Sequence, residues 1–367
     1  MALEKPRARQ LGLAFPGRTG PHNAITDVPG VLVGYQNVEG QAASGKHIQT
    51  GVTAILPRGY EPEPMPVWAG FSALNGNGEM TGTHWIEDGG YLVGPVCLTN
   101  SHSVGIVHQA ATRWTIEHYA KAWEANHLWA MPVVAETYDG VINDINGLHI
   151  TEAHARSALD GAMTGPIAEG NVGGGNGMIA YGFKGGTGTA SRVVEVDGKS
   201  YTLGVLVQAN HGMRDWFKVL GVPVGERLPD ELPDGLDRER GSIVVVIATD
   251  APMLPHQLRR LARRAGLGVG LAGTPGGNNS GDIFLALSVA NPRPMPQLAG
   301  PLQNLDYLND DVFDAFYLAA VQGTDEAILN AMLAATDSPM QKPVGVCRAL
   351  DGGRLLAVMA ESSLPSP

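Results

Sequence analysis

The apolar runs of this chain are short and are bounded by glycine and proline. GVLVGYQNV (30–38), GVTAILP (51–57), VWAGFSALNG (67–76) and YLVGPVCLTN (91–100) read as short strands bounded by glycine and proline. Glycine fills 49 of 367 positions, about 13% where roughly 7% is average. Such a backbone favours tight turns and close approaches over long helical bundles.

Helical periodicity appears between the strands. In 103–126, Val107, Ala110, Ala111, Trp114, Tyr119 and Trp123 recur mostly three or four apart, with Ser103 placed to cap the start. Residues 150–162 predict a second helix capped by Thr151, and 252–266 a third with Arg259, Arg260, Arg263 and Arg264 on a solvated or acid-paired face. Residues 308–336 predict two helices, or one broken at Gly323, and 348–359 a final hairpin or strand. Asp197-Gly198 is the hairpin turn signal within 191–210, and 241–252 is a buried strand. The polar, proline-broken segment 228–235 reads as a surface loop. With no repeat of regular period, one layered α/β or α+β domain over 1–367 fits this pattern best.

Charge and cysteine content narrow the functional classes. A formal net charge of −11 argues against nucleic acid or an anionic membrane as partner. Cys97 and Cys347 lie in different segments without CxxC spacing, so neither a disulfide framework nor a zinc knuckle is expected. No apolar stretch reaches the roughly 18 residues of a membrane span, and the start of the chain lacks an apolar signal core; a cytoplasmic protein is expected.

Several motifs are near misses. GQAASGKH (40–47) resembles a phosphate-binding loop, but His47 replaces the hydroxyl residue and a strand follows where a helix is needed. NVGGGNGMIAYG lacks the spacing of a dinucleotide site. No HExxH or G-x-S-x-G occurs, and the scattered histidines point to no metal site.

The segment GLAGTPGGNNSGDIFLALSVANP (270–292) is different. A loop of glycine, proline and asparagine ends on Ser280 at the mouth of an apolar strand. By itself this is either a turn serine or a place where the chain is cut to free a new N-terminus.

Seven blocks decide which comparison to make: ITDVPGVLVG (25–34), ETYDGVIND (136–144), GNVGGGNGM (170–178), VLVQANHG (205–212), IVVVIATDAPM (243–253), GNNSGDIFLALS (277–288) and DEAILNAM (325–332). Their order resembles that of the L-aminopeptidase D-Ala-esterase/amidase family, peptidase family S58, which includes the β-peptidyl aminopeptidases. The resemblance runs from about residue 20 to about residue 360.

The resemblance implies an α+β fold, a four-layer α-β-β-α sandwich like the N-terminal-nucleophile hydrolases but differently connected. It also implies self-cleavage between Asn279 and Ser280, giving fragments 1–279 and 280–367 that stay together, and homo-oligomers, often tetramers. Ser280 would be the nucleophile, with its freed α-amine as base. Asn210 would donate to the oxyanion. Glu136 would bind the substrate ammonium, with Tyr138 lining the pocket. Thr324 and Glu326 would supply a supporting hydroxyl–carboxylate pair, although the family places a serine where this chain has Thr324 or Gly323. Asp282 and Ser288 read as structural, with Ser288 also able to face the site. No cofactor or metal is implied. Substrates would be short peptides, amides or esters with a free amine. Alternatives are an amidase of ω-amino-acid oligomers, an acyltransferase on the same sandwich, and a non-catalytic binding protein.

Overall fold

The computed structural model describes residues 5–228 and 241–362. Strands β1 (Leu32–Gln41), β2 (His47–Leu56), β5 (Val96–Asn100) and β6 (Val133–Thr137) form a four-stranded sheet in the order β1-β2-β5-β6. Strands β3 (Val67–Gly76), β4 (Tyr91–Leu92), β9 (Gly186–Val196), β10 (Lys199–Asn210), β11 (Ser242–Thr249) and β12 (Gly281–Ser288) form a second sheet in the order β4-β3-β12-β11-β10-β9. Two small pairs stand apart: β7 (Ile179–Ala180) with β8 (Phe183–Lys184), and β13 (Ser338–Gln341) with β14 (Val344–Cys347). The helices are α1 (Thr83–Gly89), α2 (Val104–His118), α3 (Ala120–Ala125), α4 (Glu152–Asp160), α5 (Pro255–Leu271), α6 (Asp314–Ala334) and α7 (Gly352–Ser362).

The two sheets face each other across one apolar layer. Ile55, Leu98 and Ala135 of the smaller sheet meet Leu206, Val246 and Leu285 of the larger. Helices α2 and α4 cover the outer face of the smaller sheet over Val52, Cys97, Trp114 and Leu159. Helices α5 and α6 cover the larger sheet over Val205, Leu261, Phe284 and Ala327, and α7 adds Leu355 and Val358 to the same apolar cluster. The result is the expected α-β-β-α sandwich. Strand β12 shows why its sequence is a continuous apolar run: Ile283, Leu285 and Leu287 enter the inter-sheet layer, while Phe284 and Ala286 face the helices. A strand buried on both faces has no solvent side to mark with polar residues. Truncating Leu285, fully buried, would cost about 2–5 kcal/mol.

Local chemistry explains several elements. Asp197 and Gly198 take φ of 49° and 74°, the two left-handed angles of a type I′ hairpin turn between β9 and β10. Thr151 Oγ1 accepts the His154 N–H at 3.4 Å and caps α4.

Other expectations are corrected. The run 91–100 is two strands in different sheets, because Gly94-Pro95 turns the chain between β4 and β5. Ser103 makes no capping bond; Asn100 Oδ1 takes the His102 N–H at 3.1 Å instead, and the long helix divides at Tyr119. Helix α6 runs unbroken through Gly323, where a Cβ would lie 2.9 Å from Val205 Cγ2, so the glycine is there for close packing. The C-terminal hairpin lies at β13–β14, and 352–362 is helix α7, with Leu355 and Val358 buried. The expected loop at 228–235 lies, from residue 229 on, outside the described residues. Both cysteines are buried and unpaired. Among the described residues no helix is long and apolar enough to cross a membrane.

Candidate active site

Four elements converge at one end of the sandwich. The loop after α5 tightens into a turn in which Ser280 N–H donates to Gly277 O at 2.9 Å. Two asparagines at the end of β3 pin this turn. Asn75 Nδ2 donates to Gly277 O at 3.0 Å and Asn77 Nδ2 to Asn278 O at 2.6 Å. Strand β12 starts at once, with Gly281 N–H on Ser242 Oγ at 3.1 Å. Position 281 must be glycine, because a Cβ there would lie 2.3 Å from Asn77 O.

Ser280 is fully buried, and its hydroxyl donates to Asp282 Oδ1 at 2.6 Å. Asp282 therefore holds the serine rather than serving as a merely structural strand residue. Burial pushes the Asp282 carboxyl above its ordinary range, against the pull of bonds from Ser280, Asn75 and the Ile243 N–H. Ser288, further along β12, is structural as expected: its hydroxyl donates to Ala251 O at 2.6 Å.

Asn210 ends β10. Its register partner is Ser242, which pairs in turn with Gly281, so the three stand in a row across the sheet. Asn210 Oδ1 accepts the Ile179 N–H at 2.8 Å and Nδ2 donates to Tyr138 O at 3.0 Å. The Ile179 donor fixes which way the amide points. An amide nitrogen carries two hydrogens, so one remains beyond the bond to Tyr138 O. The Asn210 bond uses the Tyr138 backbone; the Tyr138 ring is half-exposed beside His102.

Glu136 sits on β6 of the smaller sheet. Oε1 accepts the Glu79 N–H at 2.9 Å and Oε2 the Ser101 hydroxyl. The first atom of a side chain at Gly78 would lie 3.1 Å from Glu136 Oε1 and 3.8 Å from Gly281 Cα, so this carboxylate adjoins the Ser280 loop. Burial raises its pKa; the Ser101 and Glu79 N–H bonds oppose this, the Glu79 charge adds to it and His102 lowers it. A buried carboxylate with two hydrogen bonds and no salt-bridge cation among the described residues suits an ammonium ligand.

Thr324 and Glu326 are not brought to this site. Glu326 is buried in a cluster with Arg9 at 2.9 Å and Arg192 at 2.7 Å, and also takes the Asn23 amide at 2.6 Å. Arg192 pairs with Leu203, seven residues from Asn210 on β10, about 23 Å at roughly 3.3 Å per residue. Thr324 faces α5, where a Cβ at Gly268 would meet its own Cβ at 2.6 Å, and its hydroxyl has no partner among the described residues. The pair is structural because mid-helix positions follow the helix packing, not the motif spacing. Conversely, Asn75, Asn77, Ser101, Ser242 and Asp282 belong to the site and were missed as functional residues. Asp282 left a signal: a carboxylate inside an apolar run.

Comparison with known proteins follows this geometry. Residues 23–343 match the model of peptidase family S58. A β-peptidyl aminopeptidase of Sphingosinicella microcystinivorans is 52% identical over 351 residues, covering 91% of this chain and 87% of that protein. The solved L-aminopeptidase D-Ala-esterase/amidase of Ochrobactrum anthropi, described as a prototype serine aminopeptidase and a variant of the Ntn hydrolase fold, is 55% identical. It superposes with a TM-score of 0.93 over 98% of this chain and 99% of that one. A Burkholderia β-aminopeptidase is 43% identical, with a TM-score of 0.90 over 98% and 100% of the two chains.

Proposed function

This chain belongs to peptidase family S58, and from that premise we propose that it is a self-processing aminopeptidase whose nucleophile is Ser280, freed as an N-terminal residue by cleavage after Asn279. One observation carries the reading: a fully buried serine closes a pinned glycine-asparagine turn, with its hydroxyl held by a carboxylate at 2.6 Å. A serine serving only as a turn former has no need of that carboxylate.

Three residues then divide the work. The Ser280 hydroxyl attacks the substrate carbonyl to form an acyl-enzyme, and its α-amine, with a reference pKa of about 7.7–8.0, takes the proton. The second Asn210 N–H meets the oxyanion, a contact worth roughly 3–4 kcal/mol in such sites. Glu136 binds the substrate's free ammonium, which limits the enzyme to chain ends. Short peptides, amides and esters with a free amine are the substrates, and the two-fragment protomers assemble as homo-oligomers.

Denaturing mass spectrometry of the purified protein tests this. Two fragments are expected, the smaller beginning Ser280-Gly281-Asp282, and Ser280→Ala should leave one inactive chain. A wild-type protein that turns over substrate as a single uncut chain would end the proposal. Panels of L-, D- and β3-amino-acid p-nitroanilides assign the stereochemical class.

A further inference from the structure

Glu136 has a second carboxylate for a neighbour. Glu79 donates its backbone N–H to Glu136 Oε1 at 2.9 Å, which fixes the root of its own side chain beside the pocket. The next residue, Met80, bridges to Ala135 of β6 and buries its side chain between the sheets. Side chains alternate along an extended segment, so Glu79 turns the other way and is exposed. Gly78, just before it, stands between Glu136 and Gly281. The Glu79 carboxylate is thus carried on the rim of the pocket whose floor is Glu136.

Its charge has no answer within the protein. Among the described residues the Glu79 carboxylate makes neither an ion pair nor a hydrogen bond. The side chains that act on Glu136 are those of Ser101, Glu79 and His102, with no lysine or arginine among them. The Glu79 charge makes Glu136 harder to ionise, as two like charges at one site do. One ammonium seated on Glu136 leaves Glu79 unpaired. A ligand with two positive charges pairs both carboxylates and removes their repulsion.

We propose that the pocket selects substrates whose terminal residue carries a second ammonium group on its side chain, and that Glu79 is the residue that sets this preference. The class is the diamino acids, of which ornithine and lysine are examples. This rests on the reading of Glu136 as the seat of the substrate's free ammonium given above. Glu136, only 6% exposed, takes the chain-end ammonium on the floor, where a buried charge needs a partner. Glu79 takes the side-chain ammonium at the rim, where water and salt screen the pair. The second contact is therefore a modest, salt-dependent preference laid over an absolute need for the first.

Four p-nitroanilides of the stereochemical class the enzyme accepts separate the two contacts: lysyl, norleucyl, Nε-acetyl-lysyl and Nα-acetyl-lysyl. Steady-state kcat/KM at pH 7 is measured for wild type, Glu79→Gln, Glu79→Asp and Glu79→Lys. Wild type should prefer lysyl over norleucyl and Nε-acetyl-lysyl by about five-fold, the upper range for a solvent-open ion pair. The preference should shrink as sodium chloride rises from about 20 to 500 mM. Glu79→Gln should bring the lysyl-to-norleucyl ratio to about one, Glu79→Asp should keep it above one, and Glu79→Lys should turn it below one. A ratio cancels any general loss in a variant, and the wild-type ratio needs no variant. If none of the four is turned over, titration calorimetry of lysine amide against norleucine amide reads the same preference as a ratio of Kd. A wild-type ratio of about one, or a ratio that Glu79→Gln leaves unchanged, overturns the proposal. If Nα-acetyl-lysyl is turned over as fast as lysyl, the ammonium reading of Glu136 itself fails. If that control is poor and the lysyl-to-norleucyl ratio is still one, only the role of Glu79 falls.

Discussion

Ser242 Oγ accepts the N–H of Gly281 at 3.1 Å, and this contact locks the first residue after Ser280 to the strand that separates it from Asn210. Ser280 and Asn210 are thus set by a ladder of backbone register. Sites built on sheet register tolerate little drift, because moving one strand by a residue turns its side chains to the other face.

Asn210→Ala leaves Ser280 in place and removes the donor. We expect kcat to fall about 10²–10³-fold with KM little changed, since the bond strengthens only in the transition state. Rates must be normalised to cut protein by measuring fragment ratios. A normalised kcat within a few-fold of wild type would make Asn210 a loop-fixing residue, tied to Ile179 and Tyr138 alone.

Glu136→Gln should lower kcat/KM on free-amine substrates and leave N-acetylated ones equally poor. Ser101→Ala removes one of the two bonds that favour the charged carboxylate. It should weaken binding of free-amine substrates, most at low pH, where the carboxyl is more easily protonated. Steady-state kinetics from pH 5 to 8 on paired free and acetylated substrates would show this. Equal rates on the two classes would return Glu136 to a structural role.

Glu326 and Thr324 should affect stability and not chemistry. Glu326→Ala strands buried Arg192 without its partner and should cost about 3–5 kcal/mol in a denaturant titration. Thr324→Val removes a buried hydroxyl that has no partner among the described residues and should be neutral or stabilising by about 1 kcal/mol. Both should keep kcat per cut protein within two- to three-fold. A hundred-fold loss with normal melting would restore a catalytic role to this pair.

His211, beside Asn210, is buried with neither ring nitrogen bonded among the described residues, and burial pushes its pKa down to about 3. Its folded value is below the unfolded value near 6.5, so its contribution is intact above about 6.5 and is lost as pH falls toward 3. The limiting slope is about 1.4 kcal/mol per pH unit. Asp139 acts in the opposite sense. Burial raises it to about 7, so its favourable share is present below about 4 and is lost as pH rises through 7. Urea midpoints from pH 4 to 8 should show His211→Gln with a shallower fall on the acid side. Asp139→Asn should gain on wild type as pH rises. Parallel curves for wild type and both variants would count against the burial argument.

The order of strands and helices was largely legible in the sequence, because strands bounded by glycine and proline and helices of period 3.6 are local properties. Asp197-Gly198 specified its turn because few residues accept two left-handed angles in succession. Ser280, too, stood out at the joint of a glycine-asparagine loop and an apolar strand. What local pattern could not decide was which polar side chains meet. Gly94-Pro95 marks a break in one apolar run, but the break by itself does not say that the two halves join different sheets. Thr324-Asp325-Glu326 kept the spacing of a catalytic motif, yet the middle of α6 packs against Val205 and Gly268 and delivers Glu326 to Arg9 and Arg192. Asn75 and Ser242 are ordinary polar residues in sequence, and Asp282 stands out only as a carboxylate inside an apolar run. They come together only because β3, β11 and β12 lie side by side, and that adjacency is set by burial of the two sheet faces across the whole chain.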